Sequence, residues 1–481
     1  MLVAPGGRKG SSFLGYDVII VGSGPAGIFT ALELAKDKAG LKILLLEKGK
    51  DLEHRICPSR EARNTCLHCR PCATISGWGG AGAFSDGKLT LSPEIGGSLE
   101  QYVGEASLQK LIDYVDATYV RFGAPDKIYG LKQSDKIREF QHKAVQAELK
   151  LVPVAIRHLG TGRCRDILEK MYAYLLENGI EIRTSYPVED VLMENKRIKG
   201  VVGAGGETIP ARYVVLAPGR EGAHWLARLA KKLNLRTAVN PVDIGVRVEV
   251  PAEVMEPLTS VFYEAKFIYY SRTFEDKVRT FCMNPYGEVV LENNDGLVTV
   301  NGHSHAYKKT NNTNFAVLVS KTFTEPFKEP IAYGRYVASL ANLLSGGVIV
   351  QRLGDLVEGH RSTPERMQKC LTFPTLGQAT PGDLSLVFPY RHLVAIVEML
   401  KALDKLAPGV YSRYTLLYGV EVKFYSSRLA LSNSLETEVE NLFAAGDGAG
   451  ITRGLAQASA SGVIVAREIL KKERGTAPGG I

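Results

Sequence analysis

The chain has 481 residues, a length that accommodates two or three domains. Hydrophobic residues make up 45% of it and charged residues 23%, which excludes a disordered or fibrous chain and leaves enough apolar mass for cores without disulfide staples. The net charge of +8 is spread out rather than gathered in a Lys/Arg block, so it favours acidic ligands such as phosphates and makes a nucleic-acid tail unexpected.

Arg8 and Lys9 precede an apolar stretch starting at Val18, an arrangement that could pass for a secretory signal. That stretch carries Asp17, Gly22, Gly24, Pro25, Gly27 and Glu33 and has another explanation. No run of about 18 uncharged apolar residues occurs elsewhere, so no membrane span and a cytoplasmic location are expected. Asp17 to Val21 reads as a short buried strand, residues from about Pro25 to Ala35 as a helix, and Lys42 to Leu46 as a second strand ending in Glu47. Between the first strand and the helix, Gly22, Gly24 and Gly27 form G-x-G-x-x-G. The first glycine permits the tight turn, the second lets backbone approach a pyrophosphate, and the third lets helix and strand pack closely. The helix N-terminus then presents unpaired N–H groups and a partial positive charge to that pyrophosphate. Glu47 can accept hydrogen bonds from a ribose hydroxyl and disfavours a 2′-phosphate, so NADP fits this site poorly. A lone glycine motif is weak, but here strand, turn, helix, strand and acid agree.

Next come Cys57-Pro58 and then NTCLHCRPCATISGWGGAGAFSDGK, with Cys66, Cys69 and Cys72 just ahead of a glycine-rich loop. Seven cysteines in all, with these four so close together, do not read as a secreted disulfide framework. Three chemistries compete. C-x2-C-x2-C with a remote Cys-Pro is the spacing of bacterial ferredoxin ligation, so Cys57, Cys66, Cys69 and Cys72 could hold a [4Fe–4S] cluster. Four thiolates could also hold structural zinc, or a C-x-x-C pair could be a redox disulfide. The bland alternative is four unrelated buried thiols. Arg60, Arg63, His68 and Arg70 around them would stabilise thiolates or an anionic cluster.

Residues 108–123 and 136–150 read as helices. Val188 to Gly219 gives three short strands closing on Ala217-Pro218-Gly219, and Gly203, Gly205 and Gly206 read as a hairpin turn rather than a second phosphate loop. Between residues 241 and 415, GVRVEVP, SVFYEAKFIYYSR, KVRTFCM and NFAVLVSKTF suggest an antiparallel sheet, with helices at VASLANLLSGG and LVAIVEMLKALDKL. Arg279, His303, His305, Glu421 and Lys423 are candidate acids or bases there. The pair His303 and His305 could face a cofactor or a metal, although such a pair is more often a polar loop. Cys282 reads as a packed residue. Near the end, NLFAAGDGAG is an apolar strand ending at Gly446-Asp447, followed by a helix with a small-residue face.

That ending resembles the second FAD signature of two-dinucleotide-binding flavoproteins, and Val188 to Gly219 resembles their β-meander. With CLHCRPCATISGWGGAGAFSDGKLT and VGSGPAG, the chain from Tyr16 to Lys472 resembles a family of uncharacterised FAD-dependent dehydrogenases. The resemblance implies an α/β fold: a Rossmann-like FAD domain of parallel sheet plus β-meander, with an inserted α+β substrate domain containing an antiparallel sheet. The FAD domain is expected at 16–95, 155–235 and 416–475, and the substrate domain at 96–154 and 236–415. FAD is expected at Gly22, Gly24, Ala26 and Gly27; at Glu47 and Lys48; at Gly79, Gly80 and Ala81; at Val188 and Gly219; and at Gly446, Asp447 and Gly454. No second complete nucleotide fingerprint occurs, so there is no separate NAD(P)H domain. The expectation is an FAD-dependent oxidoreductase acting on a small organic substrate, with a ferredoxin-like carrier reached through the cysteines. An FAD-dependent RNA-modifying protein, or a flavoprotein with a structural flavin, a redox cysteine pair or zinc, are the alternatives.

Overall fold

The Tyr16–Val21 strand is central because its residues are apolar on both faces, the pattern of a parallel strand covered on each side. Val18, Ile19 and Ile20 are fully buried. The strand runs parallel to Ile43–Leu46 on one side and to Thr208–Leu216 on the other. Glu181–Arg183 extends the sheet beyond the first neighbour and Leu442–Ala444 beyond the second, both again parallel. This order leaves a crevice at the carboxyl ends of the strands, where the connections diverge to opposite sides. The computed structural model describes residues 15–37, 40–58, 69–85, 87–130, 135–152, 154–238, 240–262, 264–294, 296–304, 309–323, 329–423 and 428–475.

The Pro25–Lys36 helix packs against Leu455–Gly475 across small residues. A Cβ on Gly462 would fall 2.1 Å from the Ala26 carbonyl oxygen, so only glycine permits this approach. Thr30 Oγ1 donates to the carbonyls of Ala26 and Gly462 at 2.9 and 3.2 Å. The start of Thr208–Leu216 pairs antiparallel with Arg197–Gly203, which pairs with Val188–Glu194, making the expected meander. Gly205 and Gly206 turn it with φ of +80° and +82°, so this cluster is a hairpin turn.

The second sheet has eight strands. Val242–Pro251 lies between Asn312–Lys321 and Leu416–Lys423, antiparallel to both. Lys277–Asn284, Lys266–Tyr270 and Lys150–Val152 continue one side, Ile349–Arg352 and Thr380–Pro381 the other. The strand Leu416–Lys423, which the sequence division groups with the nucleotide half, therefore runs in this sheet. A separate hairpin, Glu288–Asn294 with Leu297–His303, packs near it over Val289, Val300, Val350 and Tyr418.

Two local expectations change. The helix expected over 136–150 is Asp135–Gln146. Glu148 takes φ of +61° and Leu149 N–H closes back on the Ala144 carbonyl at 2.8 Å, which frees Lys150 to begin an edge strand. The stretch expected as one strand from Ser260 begins as the end of an Ala252–Phe262 helix. Ala252, Met255, Leu258 and Phe262 are its buried face, and tertiary packing outweighs the strand propensity of Val261 and Phe262. Among the described residues, no helix is long and apolar enough to cross a membrane.

His392, on the Tyr390–Asp404 helix, is 2% exposed with neither ring nitrogen hydrogen-bonded. Its ring lies 6.3 Å from that of Tyr333. Burial, reinforced by Lys321 and Arg391 against the opposing Asp276, pushes the imidazole down to about 4 from 6.5. The unfolded chain therefore binds a proton between pH 6.5 and 4 that the folded chain does not, and stability falls as pH drops through that window. The cost is about 2 kcal/mol between pH 7 and pH 5. His392→Phe is expected to remove that difference, read from urea midpoints at the two pH values. An unchanged pH dependence would count against this account.

Candidate functional site

The crevice is built by four glycine-bearing segments. Gly22 (φ +102°) turns so tightly that a Cβ would meet the Ala217 carbonyl oxygen at 2.2 Å, and one on Gly27 would meet the Gly22 oxygen at 1.9 Å. Gly24 differs: its missing Cβ points into open space. It is the N-cap of the Pro25–Lys36 helix, and no side chain caps that end. Gly219 likewise has nothing within 4 Å. A Cβ on Gly446 would fall 3.0 Å from that of Ala26, and one on Gly448 would fall 2.7 Å from the Gly219 oxygen, so the loops after three parallel strands converge. Asp447 accepts from Thr452 Oγ1 at 2.6 Å, and Arg220 Nε lies 3.5 Å from its carboxylate. Gly454 precedes the Leu455–Gly475 helix and packs near Gly96.

Glu47 is 6% exposed. Its carboxylate accepts from the Ser23 N–H and hydroxyl, each at 2.9 Å, from Gly49 N–H at 2.8 Å and from Gly77 N–H at 3.0 Å. Four donors fill the roughly four acceptor positions of a carboxylate. Glu47 thus pins three loops together, and a ribose hydroxyl reaching it would share one of those positions. Lys48 pairs with Glu221 across the strand ends. Val188 opens the meander just after Tyr186, whose N–H donates to the Glu47 carbonyl at 2.8 Å.

The glycine-rich loop roofs this crevice. Gly79 N–H donates to the Ser23 carbonyl at 2.9 Å, and a Cβ on Gly80 would sit 3.2 Å from Gly24 Cα. Ala81 follows in the short Gly80–Phe84 turn. Trp78, fully buried, fixes the loop by donating Nε1–H to the Leu168 carbonyl at 2.9 Å and by an edge contact with Tyr172. Sequence reasoning missed Arg55. It is 3% exposed and donates to the carbonyls of Ala73, Trp78 and Gly80 at 2.9, 2.6 and 2.9 Å. Its Nη2 is buried without a partner. Burial lowers the guanidinium to about 10, with Glu47 and Cys72 acting the other way. Arg55 therefore joins the end of the cysteine segment to the roof.

Of the cysteines, Cys69 is exposed, Cys57 and Cys72 are half-buried, and Cys72 Sγ lies 3.0 Å from Thr74 Oγ1. Cys66 lies outside the described residues, as does His305. Among the described residues, no three metal-ligating side chains converge.

Facing the crevice is a charged network on the second sheet. Arg247 and Glu421, both fully buried, form a two-pronged pair with both N–O distances at 2.7 Å. Arg247 also donates to the carbonyl of Cys282 at 2.7 Å and to Asn301 Oδ1 at 3.0 Å. Cys282 has φ of +46° at a bulge, so it is a bent backbone position rather than a simple packed one. Asn301 donates to Glu292 at 3.2 Å, and Lys423 lies 3.1 Å from Glu421 and 3.7 Å from Glu292. Burial alone would raise the Glu292 carboxyl, but Lys423, Arg220, His303 and Arg247 outweigh it and hold it below its ordinary value. His303 thus ends a strand beside this network, while Arg279 is tied instead to Asp243. From the nucleotide side, Lys88 donates to the Met283 carbonyl at 2.7 Å and to Asn284 Oδ1 at 3.0 Å. Nothing in the sequence analysis singled out Glu292 or Asn301.

A family model described as FAD binding domain matches residues 17–56 and 114–245, and one described as FAD-dependent protein, C-terminal domain-like, matches 241–424. A third, Glucose inhibited division protein A, matches 377–477. An uncharacterised protein of Clostridium beijerinckii (strain ATCC 51743 / NCIMB 8052) is 27% identical over 488 residues, spanning 97% of this chain and 83% of that protein. Glycine oxidase from Bacillus cereus ATCC 14579 aligns over 95% of each chain at 13% identity and a TM-score of 0.39. L-proline dehydrogenase from P. horikoshii aligns over 95% of this chain and 94% of its own, at 14% identity and a TM-score of 0.42. Those two similarities add nothing to the assignment, which rests on the domain matches and the crevice. The first match covers the strand, glycine turn and meander that build the crevice, the second the sheet that faces it, and the chain carries an FAD-binding domain joined to a domain like the C-terminal one of FAD-dependent proteins.

Proposed function

We propose that FAD lies with its pyrophosphate at Gly22, Gly24, Ala26 and Gly27, roofed by Gly79, Gly80 and Ala81 and flanked by Gly219, Gly446 and Asp447, and that an organic substrate enters between the two sheets. The observation that carries this is the open space at Gly24 and Gly219 beside a helix end that no side chain caps. Backbone N–H groups and the helix dipole suit a pyrophosphate there. Bound FAD supplies a two-electron oxidation or reduction. The chain's own residues orient and exclude water: Arg247 holds Asn301, Asn301 holds Glu292, and Lys88 ties the roof to the substrate sheet. In this reading, 16–95, 155–235 and the C-terminal block form the nucleotide unit, and 96–154 and 236–415 the substrate unit.

The same reading gives the cysteines an electron-carrying role, with a [4Fe–4S] cluster on Cys57, Cys66, Cys69 and Cys72 serving a ferredoxin-like carrier. Its support is the C-x2-C-x2-C spacing and the Arg55 link to the roof. The described thiols alone do not make a ligand set. One measurement tests both parts: an absorption spectrum of anaerobically purified protein, with iron, zinc and acid-labile sulfide per flavin. The expected result is a flavin spectrum with about four irons and four sulfides. Flavin with zinc would make the cysteines a structural clasp. Flavin with neither would leave a thiol pair, and no flavin would overturn the FAD site.

A further inference from the structure

A cleft of about 500 Å³ opens between the two halves of the molecule, within the usual size range of small-molecule sites. One wall is His158 to Arg163, leaving the Ile156–His158 strand and entering the Thr161–Glu177 helix. The other wall comes from the substrate side, at Glu256, Tyr286, Ser304 and Lys309. His158 pairs across strands with Lys88, and Lys88 reaches the Met283 carbonyl and Asn284. The cleft therefore adjoins the strand by which the glycine-rich roof leaves the crevice.

Its charge is one-sided. Lys127, Arg163 and Lys309 line it from three separate segments, and among the described residues Glu256 is its one carboxylate. Glu256 accepts a hydrogen bond from Tyr286 Oη at 3.0 Å. The two lysines do not wave freely: Lys127 Nζ rests 4.5 Å from the centre of the Tyr129 ring and Lys309 Nζ 4.9 Å from that of Tyr286, which holds both cations at the lining. The 17-residue helix adds to this field, because its N-cap is Gly160, no side chain caps it, and Gly162 faces open space. Cations on several walls of one cleft raise the local concentration of anions.

We propose that this cleft is the substrate site and that it takes a small organic acid, held through a carboxylate or phosphate by Arg163, Lys127 and Lys309. The proposal rests on the FAD reading above and names the substrate class it left open. Because Lys127, Arg163 and Lys309 are exposed, ordinary salt should compete with such a ligand.

The test uses the purified holoprotein with two probes, succinate and inorganic phosphate, against sodium chloride at matched ionic strength. Two readouts are taken, the thermal midpoint and the flavin absorption band. The expected result is that one probe raises the midpoint and shifts the band in the wild type. In Arg163→Gln/Lys309→Gln both effects should fall at least tenfold in probe affinity, with flavin content unchanged. Which probe acts distinguishes a carboxylate from a phosphate site. If the double variant does not fold, Lys127→Gln carries the same comparison. No effect of either probe, or an equal effect in variant and wild type, overturns the proposal. A midpoint shift lost in the variant but with a still flavin band overturns the assignment of the cleft as substrate site. Protein purified without flavin fails the FAD reading separately, and the midpoint arm still reports on the anions.

Discussion

Glu421→Gln is expected to cost the fold about 3–5 kcal/mol, the range for removing one partner of a buried ion pair. Arg247 and Glu421 are fully buried at the centre of the eight-stranded sheet, and the guanidinium meets the carboxylate through two contacts of 2.7 Å. The glutamine would leave a buried cation facing a neutral amide. Lys423, 3.1 Å from the same carboxylate, would keep only the longer contact of 3.7 Å to Glu292. The urea midpoint should fall with little change in slope. Arg247→Met combined with Glu421→Leu should recover most of the loss, because burying neither charge costs less than burying one. That double variant should still fail in activity, since Asn301 and Glu292 would lose the guanidinium that orients them. A single-variant loss below about 1 kcal/mol would show that water reaches the pair.

Gly24→Ala and Gly27→Ala should fail in opposite ways. At Gly24 the new methyl enters open space, so the apoprotein should keep its stability within about 1 kcal/mol. That space is where the pyrophosphate would approach, and a clash of about 1–3 kcal/mol there means a fall in flavin affinity of roughly five- to a hundredfold. At Gly27 the methyl would lie 1.9 Å from the Gly22 carbonyl oxygen, so the helix must move off the strand and stability itself should drop. Flavin fluorescence released on denaturation, alongside thermal midpoints of the apoproteins, separates the two. Full flavin retention by Gly24→Ala would remove the cradle from consideration as the pyrophosphate site.

The readability of each feature from sequence follows from how local its cause is. The turn at Gly22 and the packing of Gly27 on it were legible as a local glycine pattern, whereas the press of Gly22 against the Ala217 carbonyl comes from a distant strand and was not. The hairpin at Gly205 and Gly206 was legible for the same reason. Arg247 and Glu421 were not legible as partners, since a strand alternation marks a buried face without saying which residue lies across from it. Arg55 is a similar case: its role depends on three carbonyls brought beside it by a loop anchored through Trp78. The Ala252–Phe262 helix was misread because a short aromatic and β-branched run outweighed the wider spacing of Ala252, Met255, Leu258 and Phe262. Glu47 was found from its position, but the four donors that occupy it come from three loops and could not be counted in advance.

The parallel sheet takes its innermost strand from residues 16–21 and its closing strand from residues 442–444, both lying beside or next to Thr208–Leu216. During synthesis the opening strand and helix leave the ribosome long before Leu442–Ala444 and the helix that packs on Ala26 and Thr30. The N-terminal segment must therefore wait, with an apolar face uncovered, while the whole eight-stranded sheet is made. Assembly of the nucleotide crevice therefore cannot be completed before Leu442–Ala444 is made, and such widely separated pairing slows folding. Cofactor supply would then act on a chain that already contains both Tyr16–Val21 and Leu442–Ala444.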